Sequence, residues 1–423
     1  CGIKIAVIDS GADVALEALN KNIDIYRDYT EDNMIKLKKA RAGAGKVIFC
    51  DNKRYYLGEL MSKTAVYHIG SLDFKKYPAL QMVDEYDILS IVDQGKKAVY
   101  IDTDRDRDFS DEEPLGIYEF DQKYVSLISG DKTVNIVCTS IKDNGAEVSL
   151  SSDYLGHGSF IAALIGGECA EYQGLAEGSR LFIYQVFASG KAEQTALAQA
   201  VRDAVDDGVQ IINLSLTLPL EGAVIKELDE ALDYALAKNV LIVAAAGNYG
   251  GGEGTIGYPA RKQGVLAIGT LITKEGYALG RGINLEEDFV PYYSSRADSD
   301  YCEFILAPGC AVSALPSWAD ETYMFDEGSS TAAAVATAAL AHAMTEEKDL
   351  MSEVLAAFTA AAQPLGYNPH IQGMGLVQAD FRETQDYGLK LYREGEYLCV
   401  DNPHSVFYEA YFTSDQDTLE VPI

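Results

Sequence analysis

The chain has 423 residues, 48% of them hydrophobic, and carries 34 Lys and Arg against 65 Asp and Glu, a formal net charge of -31. An electrostatic field of this sign repels nucleic-acid phosphates and anionic lipid surfaces, and no apolar run approaches the roughly 18 residues of a membrane span, so we expect neither nucleic-acid nor membrane partners. The seven cysteines are scattered without a Cys-x-x-Cys pair, which favours free thiols and a cytoplasmic location over a disulfide framework.

The first segment of the chain has the pattern of a buried parallel strand. Residues 3–8 are apolar except for Lys4, and the run ends at Asp9 and a Ser-Gly turn. After Val134, strand-like runs at 181–186, 209–216, 240–246 and 265–272 alternate with helical patterns at 192–207 and 224–238. The alternation predicts an α/β fold of three layers, with a parallel central sheet flanked by helices. Asp9 then lies at the carboxyl end of a strand, where functional groups collect in such sheets.

Two other segments differ from this pattern. Residues from about 22 to 133 are rich in Tyr and charge and contain short alternating runs, which predicts an inserted, mainly β subdomain. Beyond Ala379 the helical patterns stop, and short strand-like runs follow at 396–400 and 406–411. We therefore predict a catalytic domain over 1–385, interrupted by the insertion at about 22–133, and a short C-terminal β extension over 386–423.

A serine and a histidine are candidates for nucleophilic chemistry. Ser330 lies in a Gly-Ser-Ser-Thr turn that opens an alanine-rich run, so its hydroxyl is predicted at a helix N-terminus, where backbone N–H groups stabilise an oxyanion. A capping serine gives the same pattern. His342 would lie about 18 Å along the same helix, too far to act as a base. His157, between two glycines, is the better candidate base, although a structural histidine fits such a turn as well.

The order of Asp9, His157 and Ser330, together with the segments around them, resembles the subtilisin-like serine proteases (subtilases, peptidase family S8). The histidine and serine segments are similar to the family's GHGTHVAG and GTSMAxP motifs, with Phe160, Ser329, Thr331 and Ala334 as departures. None of the departures removes a group that transfers a proton. Further segments resemble the family in the same register: 212–216, 244–248 and 255–260.

The resemblance implies a subtilisin-like fold and a serine protease that acts on peptide or protein substrates and needs no cofactor for catalysis. Ser330 would form the acyl-enzyme, His157 would transfer the proton, Asp9 would orient the imidazole, and Asn248 would donate to the oxyanion. Residues implied in substrate binding are Ser215, Leu216, Thr217, Gly247 and Gly257.

Several alternatives stay open. The spacing of 148 positions from Asp9 to His157 resembles the long insertion of the tripeptidyl-peptidase II branch, so both an endopeptidase and a tripeptidyl-type exopeptidase are interpretations. A catalytically silent binding or regulatory protein on the same fold is the alternative from another class. An esterase with the same three residues is a further one. The oligomeric state is left open as well.

An acidic run in the insertion has the spacing of a calcium-binding loop. A structural calcium ion is one interpretation, and a solvated acidic turn is the other, because Arg107 stands where such loops have Gly and two arginines oppose a cation. The candidate ligands are Asp102, Asp104, Asp106, Asp108 and Glu113.

Overall fold

A computed structural model of the chain describes residues 2–189, 192–218, 223–298, 304–344, 351–378, 390–394 and 397–401. The chain forms two compact units, Cys1–Ala379 and Asp380–Ile423.

The strands of the first unit are β1 (Lys4–Asp9), β2 (Ile23–Asp28), β3 (Met34–Lys36), β4 (Lys38–Lys39), β5 (Arg41–Ala42), β6 (Val47–Cys50), β7 (Lys53–Tyr56), β8 (Val66–Asp73), β9 (Glu85–Asp93), β10 (Lys96–Ile101), β11 (Val125–Ser129), β12 (Lys132–Lys142), β13 (Glu147–Ser151), β14 (Arg180–Gln185), β15 (Ile211–Leu214), β16 (Leu241–Ala245), β17 (Leu266–Leu271), β18 (Phe304–Pro308), β19 (Cys310–Ala314) and β20 (Tyr323–Glu327). Its helices are α1 (Tyr118–Asp121), α2 (His157–Gly166), α3 (Gln194–Asp206), α4 (Lys226–Ala237), α5 (Lys274–Arg281), α6 (Ser329–Ala343), α7 (Met351–Ala360) and α8 (Pro369–Gln372). The second unit contains β21 (Lys390–Glu394) and β22 (Tyr397–Asp401).

A seven-stranded parallel sheet forms the centre of the first unit, in the order β18-β17-β16-β15-β1-β14-β2. β14 and β2 lie on one side of β1, and β15, β16, β17 and β18 follow in chain order on the other side. Strand order therefore reverses at β1, and in open α/β sheets this reversal opens a crevice beyond the carboxyl ends of the strands. Asp9 is the last residue of β1 and lies at that edge.

Helices cover both faces of the sheet, which confirms the predicted three-layer α/β fold. α2 and α6 pack on one face, and α3 and α4 on the other. Ala6 and Ile8 belong to the core under α3 and α4. Since side chains alternate along a strand, the next residue, Asp9, points to the face that α2 covers. The predicted apolar stripe of α3 is buried, and the chain turns at Gly208 with a φ of +77°.

The insertion is built of antiparallel sheets, as its alternating patterns predict. One sheet has the order β10-β9-β8-β4, a second β11-β12-β13-β3 and a third β5-β6-β7. These sheets occupy residues from Met34 to Ser151, so they begin after β2 and continue past residue 133. β2 itself pairs with β14 as the edge strand of the central sheet.

In the second unit, β21 and β22 pair as an antiparallel hairpin. The predicted strand at 406–411 lies outside the described residues, and the predicted domain boundaries remain predictions. Cys50, Cys138, Cys169 and Cys310 are free thiols, and all but Cys169 are buried. Within the described ranges, no helix is both long enough and apolar enough to cross a membrane.

Candidate active site

The carboxylate of Asp9 is completely buried and meets His157. Its Oδ1 atom lies 2.7 Å from Nδ1 of His157 and accepts a hydrogen bond of 2.7 Å from the N–H of Ser10. Since a buried carboxylate is costly unless it is paired, this contact accounts for a charged side chain at the end of an apolar strand. It also fixes the imidazole with Nε2 directed away from Asp9.

His157 is the first residue of α2 and follows Gly156, which has a φ of +85°. The next residue, Gly158, packs against the Asp9 turn so closely that an added Cβ would overlap the carbonyl oxygen of Gly11. The N–H of Gly158 donates to Oγ of Ser10 at 2.8 Å. The two glycines thus have separate tasks: Gly156 turns the chain into the helix, and Gly158 lets the helix approach β1.

The surroundings of His157 favour its protonated form. Burial by itself would lower the pKa of His157, but the charge of Asp9 and the hydrogen bond to it outweigh burial and raise the pKa to about 9. Asp153 and Asp326 add smaller effects in the same direction. Because Asp326 lies four residues before Ser330, its effect also indicates that the strand leading to Ser330 passes near the imidazole.

Ser330 lies in the first turn of α6, as its sequence pattern predicts. Its hydroxyl donates to the carbonyl oxygen of Ser215 at 2.9 Å, and the hydroxyl of Ser215 donates to the carbonyl oxygen of Ser330 at 2.9 Å. Within the part of the chain that the structure describes, no hydrogen bond joins Ser330 to His157. The hydroxyl of Ser330 is instead hydrogen-bonded to Ser215, and catalytic hydrogen bonds are often loose before a substrate binds.

Asn248 follows β16 and lies beside the turn that carries Ser330. Its Oδ1 accepts a hydrogen bond of 3.0 Å from the N–H of Ser329. Because a main-chain N–H can only donate, this contact identifies the accepting atom as Oδ1 and leaves Nδ2 as the donor. Gly328 has a φ of +153°, and a Cβ there would lie 3.1 Å from Nδ2. The amide donor therefore lies next to the N-terminal turn of α6.

The predicted substrate-binding residues lie at the same edge of the sheet. Ser215 to Thr217 follow β15 directly, and Leu216 and Thr217 are partly exposed. Gly257 faces this segment, since an added Cβ would lie 3.2 Å from Cβ of Thr217. Gly247 precedes Asn248 and donates its N–H to Oγ of Ser329 at 3.2 Å. The carboxyl ends of β1, β15 and β16 thus bring Asp9, the 215–217 segment and Asn248 to one place.

Sequence reasoning missed Asp153, which is buried in the turn between β13 and α2. Its carboxylate accepts hydrogen bonds from the N–H groups of Gly156 at 2.8 Å and Ser159 at 2.7 Å. An acidic residue just before a helix start is a capping signal, so the segment Asp-Tyr-Leu-Gly-His contained the information needed to find it.

The predicted calcium ligands are only partly brought together. Ligand atoms of Asp102, Asp104 and Asp106 lie within 4.8 Å of one another, and carboxylate oxygens suit calcium. Asp108 instead accepts hydrogen bonds from the N–H and hydroxyl of Ser110, and Glu113 lies 3.9 Å from the ammonium group of Lys123. Arg107 has a φ of +66° at the position where calcium loops have Gly. Calcium therefore stays a prediction that rests on three carboxylates.

Comparison with known proteins agrees with this geometry. The family model described as "Subtilase family" (peptidase S8) matches residues 1–375. Subtilisin DY of Bacillus licheniformis is 27% identical over 238 residues, which cover 55% of this chain and 79% of that protein. The subtilisin of Bacillus sp. (strain TA39) is 32% identical over 195 residues, 43% of this chain and 44% of that protein.

Among solved structures, tripeptidyl peptidase 2 (TPP II) resembles 91% of this chain and 36% of its own chain with a TM-score of 0.69. Its sequence is 16% identical, so this likeness concerns the fold alone. Because the family model spans most of the chain, the protein belongs to the subtilase family of serine peptidases.

Proposed function

We propose that the protein hydrolyses peptide bonds of peptide or protein substrates through an acyl-enzyme on Ser330. The observation that carries this proposal is the 2.7 Å contact between the buried carboxylate of Asp9 and Nδ1 of His157, at the edge of the sheet where α6 begins. With Nδ1 occupied by Asp9, Nε2 is the atom available to take a proton from a serine hydroxyl.

The steps follow from these positions. Oγ of Ser330 would leave the carbonyl oxygen of Ser215 and attack the substrate carbonyl carbon, while its proton passes to Nε2 of His157. The oxyanion would accept hydrogen bonds from Nδ2 of Asn248 and from the N–H of Ser330. When the C–N bond breaks, His157 would return the proton to the leaving amine. A water molecule, deprotonated by His157, would then release the acid product and restore Ser330.

The substrate backbone would lie along the segment after β15. Main-chain groups of Ser215 to Thr217 can pair with an extended peptide as an added strand, and Gly247 and Gly257 leave space beside it. Cleavage inside a chain and removal of N-terminal tripeptides are both compatible with this site. Peptides with free and acetylated N-termini separate the two, because a tripeptidyl exopeptidase requires the free amine and releases tripeptides.

Covalent labelling tests the proposal directly. We expect one fluorophosphonate adduct per native chain, and no adduct on the Ser330→Ala or His157→Ala variants, because a serine hydroxyl is unreactive without its base. Intact-mass measurement gives the stoichiometry, and Ser110→Ala, which removes an exposed serine of the insertion, should label like the native chain. A native chain that stays unlabelled beside a fully labelled control subtilisin would instead support the silent binding protein.

Replacing Asn248 tests the oxyanion donor. We expect Asn248→Ala to lower kcat by roughly a hundredfold to a thousandfold with little change in KM, since the donor acts on charge that develops in the transition state. Steady-state kinetics on a peptide substrate measures this. Asn248→Asp is the matched variant, because it keeps an acceptor for the N–H of Ser329 but has no donor. An Asp variant with native kcat would show that Asn248 serves only as a turn residue.

The pH dependence follows from the environment of His157. The neutral imidazole is the base, and a pKa raised to about 9 keeps the protonated form to higher pH than the ordinary value of 6.5. We therefore expect kcat/KM to rise with pH, with a midpoint near 9. Asp326→Asn should move the midpoint down while leaving the Asp9 contact intact. A native midpoint near the ordinary value would contradict this account of the site.

A further inference from the structure

A second buried carboxylate lies behind the Asp9–His157 pair. Asp153 is fully buried in the turn between β13 and α2, four residues before His157. Its Oδ1 accepts hydrogen bonds from the N–H groups of Leu155 at 3.1 Å and Gly156 at 2.8 Å, and its Oδ2 from the N–H of Ser159 at 2.7 Å. Among these donors, the N–H of Ser159 belongs to the first turn of α2 and has no partner inside the helix, so Oδ2 of Asp153 caps α2. Oδ1 of Asp153 holds the turn that leads into the helix.

Asp153 also reaches the turn that follows Asp9. The hydroxyl of Ser10 donates to Oδ1 of Asp153 at 2.9 Å and accepts from the N–H of Gly158 at 2.8 Å. A chain of hydrogen bonds therefore runs from Asp153 through the residue after Asp9 to the residue after His157. Asp9 and His157 form the 2.7 Å contact. Each of them is followed in the chain by a residue of this hydrogen-bonded series, Ser10 and Gly158.

Capping alone does not account for a charge at this position. An uncharged Ser or Asn can cap a helix, whereas burial of a carboxylate costs several kcal/mol unless its surroundings compensate. Burial raises the pKa of Asp153, and the hydrogen bonds from Ser159, Gly156 and Ser10 oppose that rise. The negative charge lies near the imidazole, where Asp9 on β1 and Asp326 on β20 are the other acidic groups that act on His157.

We propose that Asp153 is a positioning residue of the active site, which holds Asp9 and His157 in hydrogen-bonding geometry and contributes negative charge beside the imidazole. The effect of Asp153 on catalysis rests on the proposed function. Its effect on His157 itself does not depend on any substrate.

The test compares Asp153→Asn with the native chain. The N–H groups of Leu155, Gly156 and Ser159 and the hydroxyl of Ser10 all donate to the two carboxylate oxygens. The amide of Asn has only one acceptor oxygen, so it would leave at least one main-chain N–H without an acceptor. We expect the pKa of His157 to fall, and kcat to fall roughly tenfold to a hundredfold with KM changed less than about twofold. NMR titration of isotope-labelled histidine follows His157 directly, and kinetics gives kcat and KM.

Asp13→Asn is the matched control. Asp13 is 1% exposed, follows Asp9 by four residues and accepts hydrogen bonds from Asn135, Ser317 and Ala15, yet it is not among the acidic groups that act on His157. Thermal unfolding should show both variants destabilised, but only Asp153→Asn should change the titration of His157. An unchanged titration in Asp153→Asn, with losses equal to those of Asp13→Asn, would overturn the proposal.

Ser10→Ala provides a second variant in case Asp153→Asn does not fold. It removes the link between Asp153 and Gly158 but keeps the charge. We expect a lower kcat and, because the charge of Asp153 is kept, a smaller fall in the pKa of His157 than in Asp153→Asn. A native kcat would overturn the positioning role. If the native chain fails to label with a fluorophosphonate, the proposed function fails, while the histidine titration still decides whether Asp153 acts on His157.

Discussion

The contact between the carboxylate of Asp9 and the imidazole of His157 is the interaction on which the rest of the site depends. It joins residues 148 positions apart, and one partner is completely buried. A buried carboxylate is stable only when it is paired and hydrogen-bonded, so the fold has to return a donor to the end of β1. It does so by starting α2 with the histidine itself and by removing the side chain at Gly158, where helix and strand turn meet.

Small residues also allow a close approach between helix and sheet on the other side of the site, at α6. α6 has alanine at many of its buried positions, and it packs under β15 to β18 with few large side chains. A helix of this composition can approach a sheet closely, which brings its N-terminal turn to the strand ends. Ser329 and Ser330 are each tied to a strand end, the first to Gly247 and Asn248, the second to Ser215. The nucleophile candidate is therefore placed by the packing of the whole helix.

Sequence patterns were sufficient for five of the seven strands of the central sheet, for the layers, and for Asp9 at a strand end and His157 and Ser330 at helix starts. The reason is that buried parallel strands and amphipathic helices have distinct periods. The patterns failed for β2, whose run Ile-Asp-Ile-Tyr-Arg-Asp lacks the continuous apolar pattern of a buried parallel strand, because it is the partly buried edge strand of the sheet. They also did not indicate that Ser330 donates to Ser215, or that Asp153 links two distant segments. These are tertiary contacts between residues that are far apart in the chain, and no local period encodes them.

The insertion is continuous with the candidate site through a single turn. β13 belongs to an antiparallel sheet of the insertion, and the chain passes from it through Asp153 and Tyr154 into α2. Tyr154 is buried and stacks on Tyr77 of the insertion core, with ring centroids 4.0 Å apart. Because protein cores are close-packed and transmit strain, the position of Asp153 depends on how well this core is packed. We therefore expect the packing of the insertion core to influence the geometry of His157 through Tyr154 and Asp153.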